Sequence, residues 1–143
     1  KSNKYIVDRD CFMISKLNPT TKRVWRPYCL TNHAVCSTEF IVFKAKEREY
    51  TDFLYSLVNC GVFSEHLCNH VTGSTGSRQR TNPDDALKFV FKLPTEAVIA
   101  EFSSIVAPIY EQIRTNSIEN NSLKELRDYL LPLLMSGQIS IGG

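Results

Sequence analysis

The residues best equipped for chemistry lie between Thr72 and Pro83, where Arg78, Gln79 and Arg80 stand among hydroxyls and glycines. Arginine can grip guanine and glutamine can grip adenine, each in bidentate fashion, in the major groove of DNA. Ser74, Thr75 and Ser77, with exposed backbone amides, suit phosphate oxygens. Nothing from Thr72 to Pro83 is apolar, and Gly73 and Gly76 permit unusual backbone angles, so the segment reads as a loop. Lys16, Lys22, Arg23 and Arg26 place four cations within eleven residues, a set able to hold phosphates beside such a loop. On the residues alone this is a nucleic-acid contact loop; the competing reading is a solvated surface loop.

Other reactive side chains carry less. His66 and His70 are spaced i, i+4 on a predicted helix, a spacing that can ligate a metal, but Cys68 points to nearly the opposite face, and two surface histidines are the commoner outcome. Glu39, between Thr38 and Phe40 in a predicted strand, reads as a hydrogen-bonded structural residue, with a buried acid as the alternative. Gly73-Ser74-Thr75-Gly76 lacks the Lys-Ser/Thr that closes a phosphate loop, and the sequence contains no Gly-x-Ser-x-Gly and no His-Glu-x-x-His. No metal, no cofactor and no catalytic residue is expected.

The elements that must position the loop follow from periodicity. Tyr5-Ile6-Val7 and Cys11–Leu17 read as strands. The latter stops at Asn18-Pro19-Thr20-Thr21, a turn cluster, and Lys22–Arg26 resumes the extended pattern, giving a hairpin with a basic second arm. Ala34–Phe43 reads as a central strand. The period then becomes helical. Thr51 is placed to cap a helix carrying Phe53, Leu54, Leu57 and Val58, with Gly61 to end it, and Ser64 to cap a second. Lys88–Leu93 returns to strand periodicity. From Pro94 the pattern is helical almost to the end. Ile99, Phe102, Val106, Ile109, Ile113, Leu123, Leu130 and Leu134 form an apolar seam, interrupted by Asn116, Asn120 and Arg127. A helix from about Thr95 to Ser136 spans roughly 60 Å, so it is expected to project and find a partner. Pro108 is expected to bend it; two shorter helices broken near Ser117 are the alternative. The fold class is thus α+β: a mixed β-sheet domain with short helices over 1–93, then a long projecting helix, a coiled-coil arm, over 94–143.

With 143 residues, 43% hydrophobic and 22% charged, the chain has the composition of one globular domain rather than a disordered tail. No stretch approaches the ~20 apolar residues of a membrane span, so no membrane partner is expected. Five cysteines, an odd number with no Cys-x-x-Cys pair, fit free thiols in a reducing, cytoplasmic setting. The net charge of +2 is unevenly spread: residues 1–93 hold fourteen Lys/Arg against nine Asp/Glu, and residues 94–143 hold three against six. A basic front can face a polyanion that an acidic rear avoids. The chain starts within a few residues of a strand, which reads as a fragment of something longer, with its recognition part truncated at the N-terminus.

Four segments carry a resemblance: Phe12-Met13-Ile14-Ser15-Lys16-Leu17, Cys36-Ser37-Thr38-Glu39-Phe40-Ile41-Val42, the loop Gly73–Arg80, and Leu123–Gly137, with its Leu126-Arg127-Asp128-Tyr129-Leu130-Leu131-Pro132 core. In this order they resemble the DNA-specificity (S) subunit of type I restriction-modification systems, and the likeness runs the length of the chain. It implies an α+β target-recognition domain followed by a long helix. In that family two such halves each read one half of a split site, and the two helices pack antiparallel as a ruler. Modification subunits methylate adenine and restriction subunits cleave. The resemblance implies double-stranded DNA and those subunits as partners, and no catalysis by the chain itself. This sequence holds one half, so a homodimer through the long helix is expected. The alternative function is a helix-mediated dimerisation or interaction module from a truncated, inactive specificity subunit. Salt-dependent duplex binding separates the two.

Overall fold

A computed structural model describes residues 2–28, 33–72 and 79–140. It contains strands β1 (Lys4–Ile6), β2 (Cys11–Ser15), β3 (Val24–Trp25), β4 (Val35–Ser37) and β5 (Phe40–Lys44), then helices α1 (Thr51–Val58) and α2 (Gly61–Asn69). Strands β6 (Val71–Thr72) and β7 (Arg80–Thr81), helix α3 (Pro83–Leu87) and the long helix α4 (Glu96–Met135) follow. The class is α+β with short helices and a long C-terminal helix, as the periodicity predicts. None of the described helices is long and apolar enough to cross a membrane. The chain forms two compact units, Lys1–Ala107 and Pro108–Gly143.

In the first unit the described strand pairings are antiparallel. β2 is the middle of a three-stranded sheet in the order β3-β2-β5, while β1 pairs with β4 and β6 with β7. The expected hairpin is present, with Met13 opposite Trp25 and Ile14 opposite Val24. All five residues of β2 are buried, so both faces of this strand are covered, which its unbroken apolar run suits. Phe12, Ile14 and Ile41 of the sheet pack with Val58 of α1, Phe63 and Leu67 of α2 and Ala86 of α3. Burying Phe12 and Leu67, both at most 2% exposed, contributes roughly 1.5–3 kcal/mol each. Phe12 stacks on Phe43 at 5.4 Å and meets Tyr55 edge-on at 5.9 Å.

Several expected boundaries move. Ala34–Phe43 is two strands in different sheets, because Thr38-Glu39 turns the chain. Ser37 Oγ accepts from Glu39 N at 3.2 Å, a local bond that favours a turn over a ladder. Gly61 begins α2 instead of ending α1: Cys60 is extended at φ −82°, ψ 161° and its Sγ accepts from Phe63 N. Ser64 therefore lies inside α2 with its Oγ donating to Cys60 O at 3.2 Å. Thr51 is the first residue of α1, behind a short 3₁₀ turn over Arg48–Tyr50, and is buried. Lys88–Leu93 forms no strand. Its period of two is satisfied by packing: Phe89 and Phe91 stack at 6.1 Å, Phe89 meets Phe63 edge-on, and Phe91 lies against Phe53. Val90, between them, is 90% exposed.

Helix α4 is continuous through Pro108, Ser117 and Pro132. Its 40 residues correspond to roughly 60 Å. In the first unit Ile99 is buried and Phe102 meets Phe53 edge-on at 6.1 Å. The second unit is the remainder of the helix and its stop. Ser117 and Ser122 donate to the carbonyls of Ile113 and Ile118, which seats hydroxyls in a helix interior. The end is a Schellman turn. Gly137 is left-handed at φ 71°, with Gly137 N donating to Leu134 O at 3.1 Å and Gln138 N to Leu133 O at 3.0 Å.

Candidate nucleic-acid interface

The turn after β2 and the segment leading into α3 meet directly. Asn18 N donates to Gln79 O at 2.9 Å and Thr81 N to Lys16 O at 2.9 Å, and Leu17 bridges to Arg80. The β6–β7 pairing sets Thr72 opposite Arg80 and Val71 opposite Thr81. Arg80 is thus held from two sides, by β6 and by the end of β2, and Gln79 by the β2–β3 turn. Ser74, Thr75, Ser77 and Arg78, four of the residues expected to touch DNA, lie outside the described residues.

Lys16 joins this corner. Its backbone N donates to Glu39 O at 2.8 Å and its Nζ to Thr38 O at 2.7 Å. Arg80 Nη2 lies 3.1 Å from Glu39 Oε2. Glu39 is therefore neither buried nor a strand residue: it stands on the turn between β4 and β5 with its side chain 46% exposed. The turn turns the carboxylate outward to Arg80, a partner that local spacing does not reveal.

The other expected phosphate contacts divide. Lys22 Nζ donates to Asn59 O at 2.8 Å, at the end of α1, where free carbonyls attract a cation. Arg26 forms an ion pair with Asp52 at the start of α1, and its guanidinium lies 5.8 Å from the Tyr55 ring centroid. Both tie the basic strand to α1. Arg23 alternates with them along the chain. Its side chain is exposed and has no hydrogen-bond or ion-pair partner among the described residues, while its backbone O accepts from Ser15 N at 3.0 Å. Trp25, next but one, is 44% exposed and meets Phe40 edge-on at 5.1 Å.

Two polar atoms at the corner are absent from the sequence reading. Asn18 is left-handed at φ 49°, and its Oδ1 is buried without a hydrogen-bond partner among the described residues; so is Oγ1 of Thr81, a residue 2% exposed. The only local signal was Asn18-Pro19 as a turn dipeptide.

His66 and His70 serve packing. His66 Nε2 donates to Asp85 O and His70 Nδ1 to His66 O, each at 2.8 Å, so α2 is tied to α3. Cys11, Cys36, Cys60 and Cys68 are free thiols; Cys29 lies outside the described residues. Burial pushes the Cys11 and Cys36 thiols up from their ordinary range.

Along α4, seam residues Ile109, Ile113 and Leu123 are 54%, 44% and 55% exposed. Val106, Leu130 and Leu134 are half-buried, and Ile99 and Phe102 are already packed within the first unit.

Over 103 residues the chain is 31% identical to the type I restriction enzyme HindI specificity subunit of Haemophilus influenzae. The match takes in 72% of this chain and 19% of that protein, so the chain spans about a fifth of its curated relative. This similarity supports the family that the four sequence segments suggest. No family model matches. No solved structure matches.

Proposed function

We propose that the protein is a sequence-specific DNA-recognition module that gives target specificity to a type I restriction-modification complex and reads one half of a split site. Residues 1–93 act as the reader and 94–143 as the arm. The carrying observation is the corner where Gln79 and Arg80 are pinned to Lys16-Leu17-Asn18; similarity to a specificity subunit supports the same reading. Bidentate donors carried on a pinned backbone suit base readout. In this reading Arg78, Gln79 and Arg80 approach base edges. Ser74, Thr75, Ser77, Lys16 and Arg23 hold phosphates, and Lys22 and Arg26 add positive potential while bracing the strand against α1.

The partners are double-stranded DNA and the modification and restriction subunits, which carry out methylation and cleavage in the cytoplasm; this chain performs no chemical step. The arm pairs with a second copy of the chain. Its exposed Ile109, Ile113 and Leu123 equally favour the second reading, an interaction module without DNA recognition.

Duplex binding as a function of salt tests the proposal. Phosphate contacts make log K fall linearly with log[salt]. Arg80→Ala is expected to cost about 1–3 kcal/mol on the preferred sequence and relax one base position, whereas Arg23→Ala weakens all sequences alike and lowers the salt slope by about one. A flat salt response with no affinity would leave the interaction module as the function.

A further inference from the structure

We propose that Glu39 is a positioning residue for sequence readout: its carboxylate holds the Arg80 guanidinium in the orientation from which it reads a base. This inference rests on the DNA-recognition reading and adds to it a residue of opposite charge.

The geometry is specific. Glu39 Oε2 and Arg80 Nη2 are 3.1 Å apart, and a single residue fixes both backbones. Lys16 N donates to Glu39 O, Lys16 Nζ donates to Thr38 O, and Lys16 O accepts from Thr81 N. The pair therefore joins two side chains whose main chains are already registered to the same strand end.

Stability does not account for this contact. The side chains are 46% and 60% exposed, and exposed ion pairs contribute little. A carboxylate facing a polyanion also lowers affinity through repulsion. What the contact supplies is orientation. A guanidinium offers five donors in a rigid planar fork, and an ion pair to one Glu39 oxygen leaves an edge for guanine O6 and N7. Without its carboxylate, Arg80 is a mobile cation that finds phosphates as readily as bases.

The test sets the full chain against a pool of random-sequence duplexes, sequences the bound fraction, and measures affinity for the unselected pool in parallel. The parent, Glu39→Gln, Arg80→Ala and the double variant are compared, with circular dichroism confirming that each is folded. Glu39→Gln is expected to lower preference at one base position about tenfold, within the range of one bidentate contact, while affinity for the unselected pool rises. Arg80→Ala should remove preference at that same position, and adding Glu39→Gln to it should lower preference no further. The proposal is overturned if Glu39→Gln raises affinity with preference intact, if it alters a different position from Arg80→Ala, or if it changes nothing. A parent that binds duplex with a salt slope but enriches no sequence also overturns it, with DNA binding itself standing. A parent that binds no duplex overturns the DNA-recognition reading along with it.

Discussion

Side chains far apart in sequence decide which cations face solvent. Lys22 and Arg26 find Asn59 and Asp52 at separations of 37 and 26 residues. Four cations within eleven residues read as one basic patch because no local spacing encodes those partners; Glu39 reads as a strand residue because its β-rich neighbours hide the local Ser37–Glu39 bond that turns the chain. Asp8 is a similar case, with Lys44 Nζ 2.6 Å from Oδ2. The hydrogen bond from Lys44 is the main cause holding the Asp8 carboxyl down to about 2; desolvation opposes it, and the Cys11 thiol and Asp10 N–H help it. A depressed carboxylate stabilises the fold fully above its unfolded value, near 3.8, and that contribution fades as the pH falls toward 2. Both side chains are about half exposed, so the effect is small. Denaturation midpoints measured between pH 2 and 5 are expected to fall more steeply for the parent than for Asp8→Asn. Parallel curves would show that the pair does not couple to folding.

Elements were legible where a period was long or a turn had its own chemistry. The β2–β3 hairpin, two short helices and the long helix follow from patterning, whereas β7 lies at Arg80–Thr81 within Thr72–Pro83, which the sequence reads as a loop throughout. Boundaries failed where an unexpected cap prevailed, as at Cys60, and where aromatic packing replaced strand pairing, as at Phe89 and Phe91. The corner itself was invisible, since it forms by pairing of residues about sixty apart in sequence. Asn18 is its hinge. A left-handed backbone costs a non-glycine residue about 1–2 kcal/mol, and a buried unpaired oxygen about 1–3 kcal/mol. Asn18→Gly removes both features and keeps the N–H that binds Gln79 O, so it is expected to melt at or above the parent temperature. Asn18→Val also lacks the oxygen but forces a β-branched side chain into the left-handed region, so it is expected to be less stable than Asn18→Gly by about 1–2 kcal/mol. A valine variant as stable as the glycine variant would mean that the turn relaxes out of its left-handed geometry and that the corner is not rigid.

At the scale of the whole molecule, charge and apolar surface divide along the chain. Residues 1–93 carry the excess of cations and 94–143 the excess of acids, which suits a reader that meets DNA and an arm that meets protein. In the proposed reading, the arm's apolar residues mark where that protein would sit. Ile109 and Ile113 are about half exposed, one turn apart on the same helical face, and Leu123 lies further along the seam. A lone chain leaves them in water, and in the proposed pairing a second copy in antiparallel alignment would cover them symmetrically, since a twofold contact sets the same surface against itself. Fully burying an isoleucine stabilises by roughly 1.5–3 kcal/mol, and these residues gain only the part still exposed, so several must act together. Ile109→Asp with Ile113→Asp places four carboxylates in the paired seam while leaving each separate chain's core untouched, because neither residue belongs to it. Light scattering is expected to give twice the chain mass for the parent and the single-chain mass for the double variant, with unchanged circular dichroism. A parent of single-chain mass at high concentration, or a double variant that still pairs, would assign the stripe to a different partner, with the modification subunit the next to be tested by mixing.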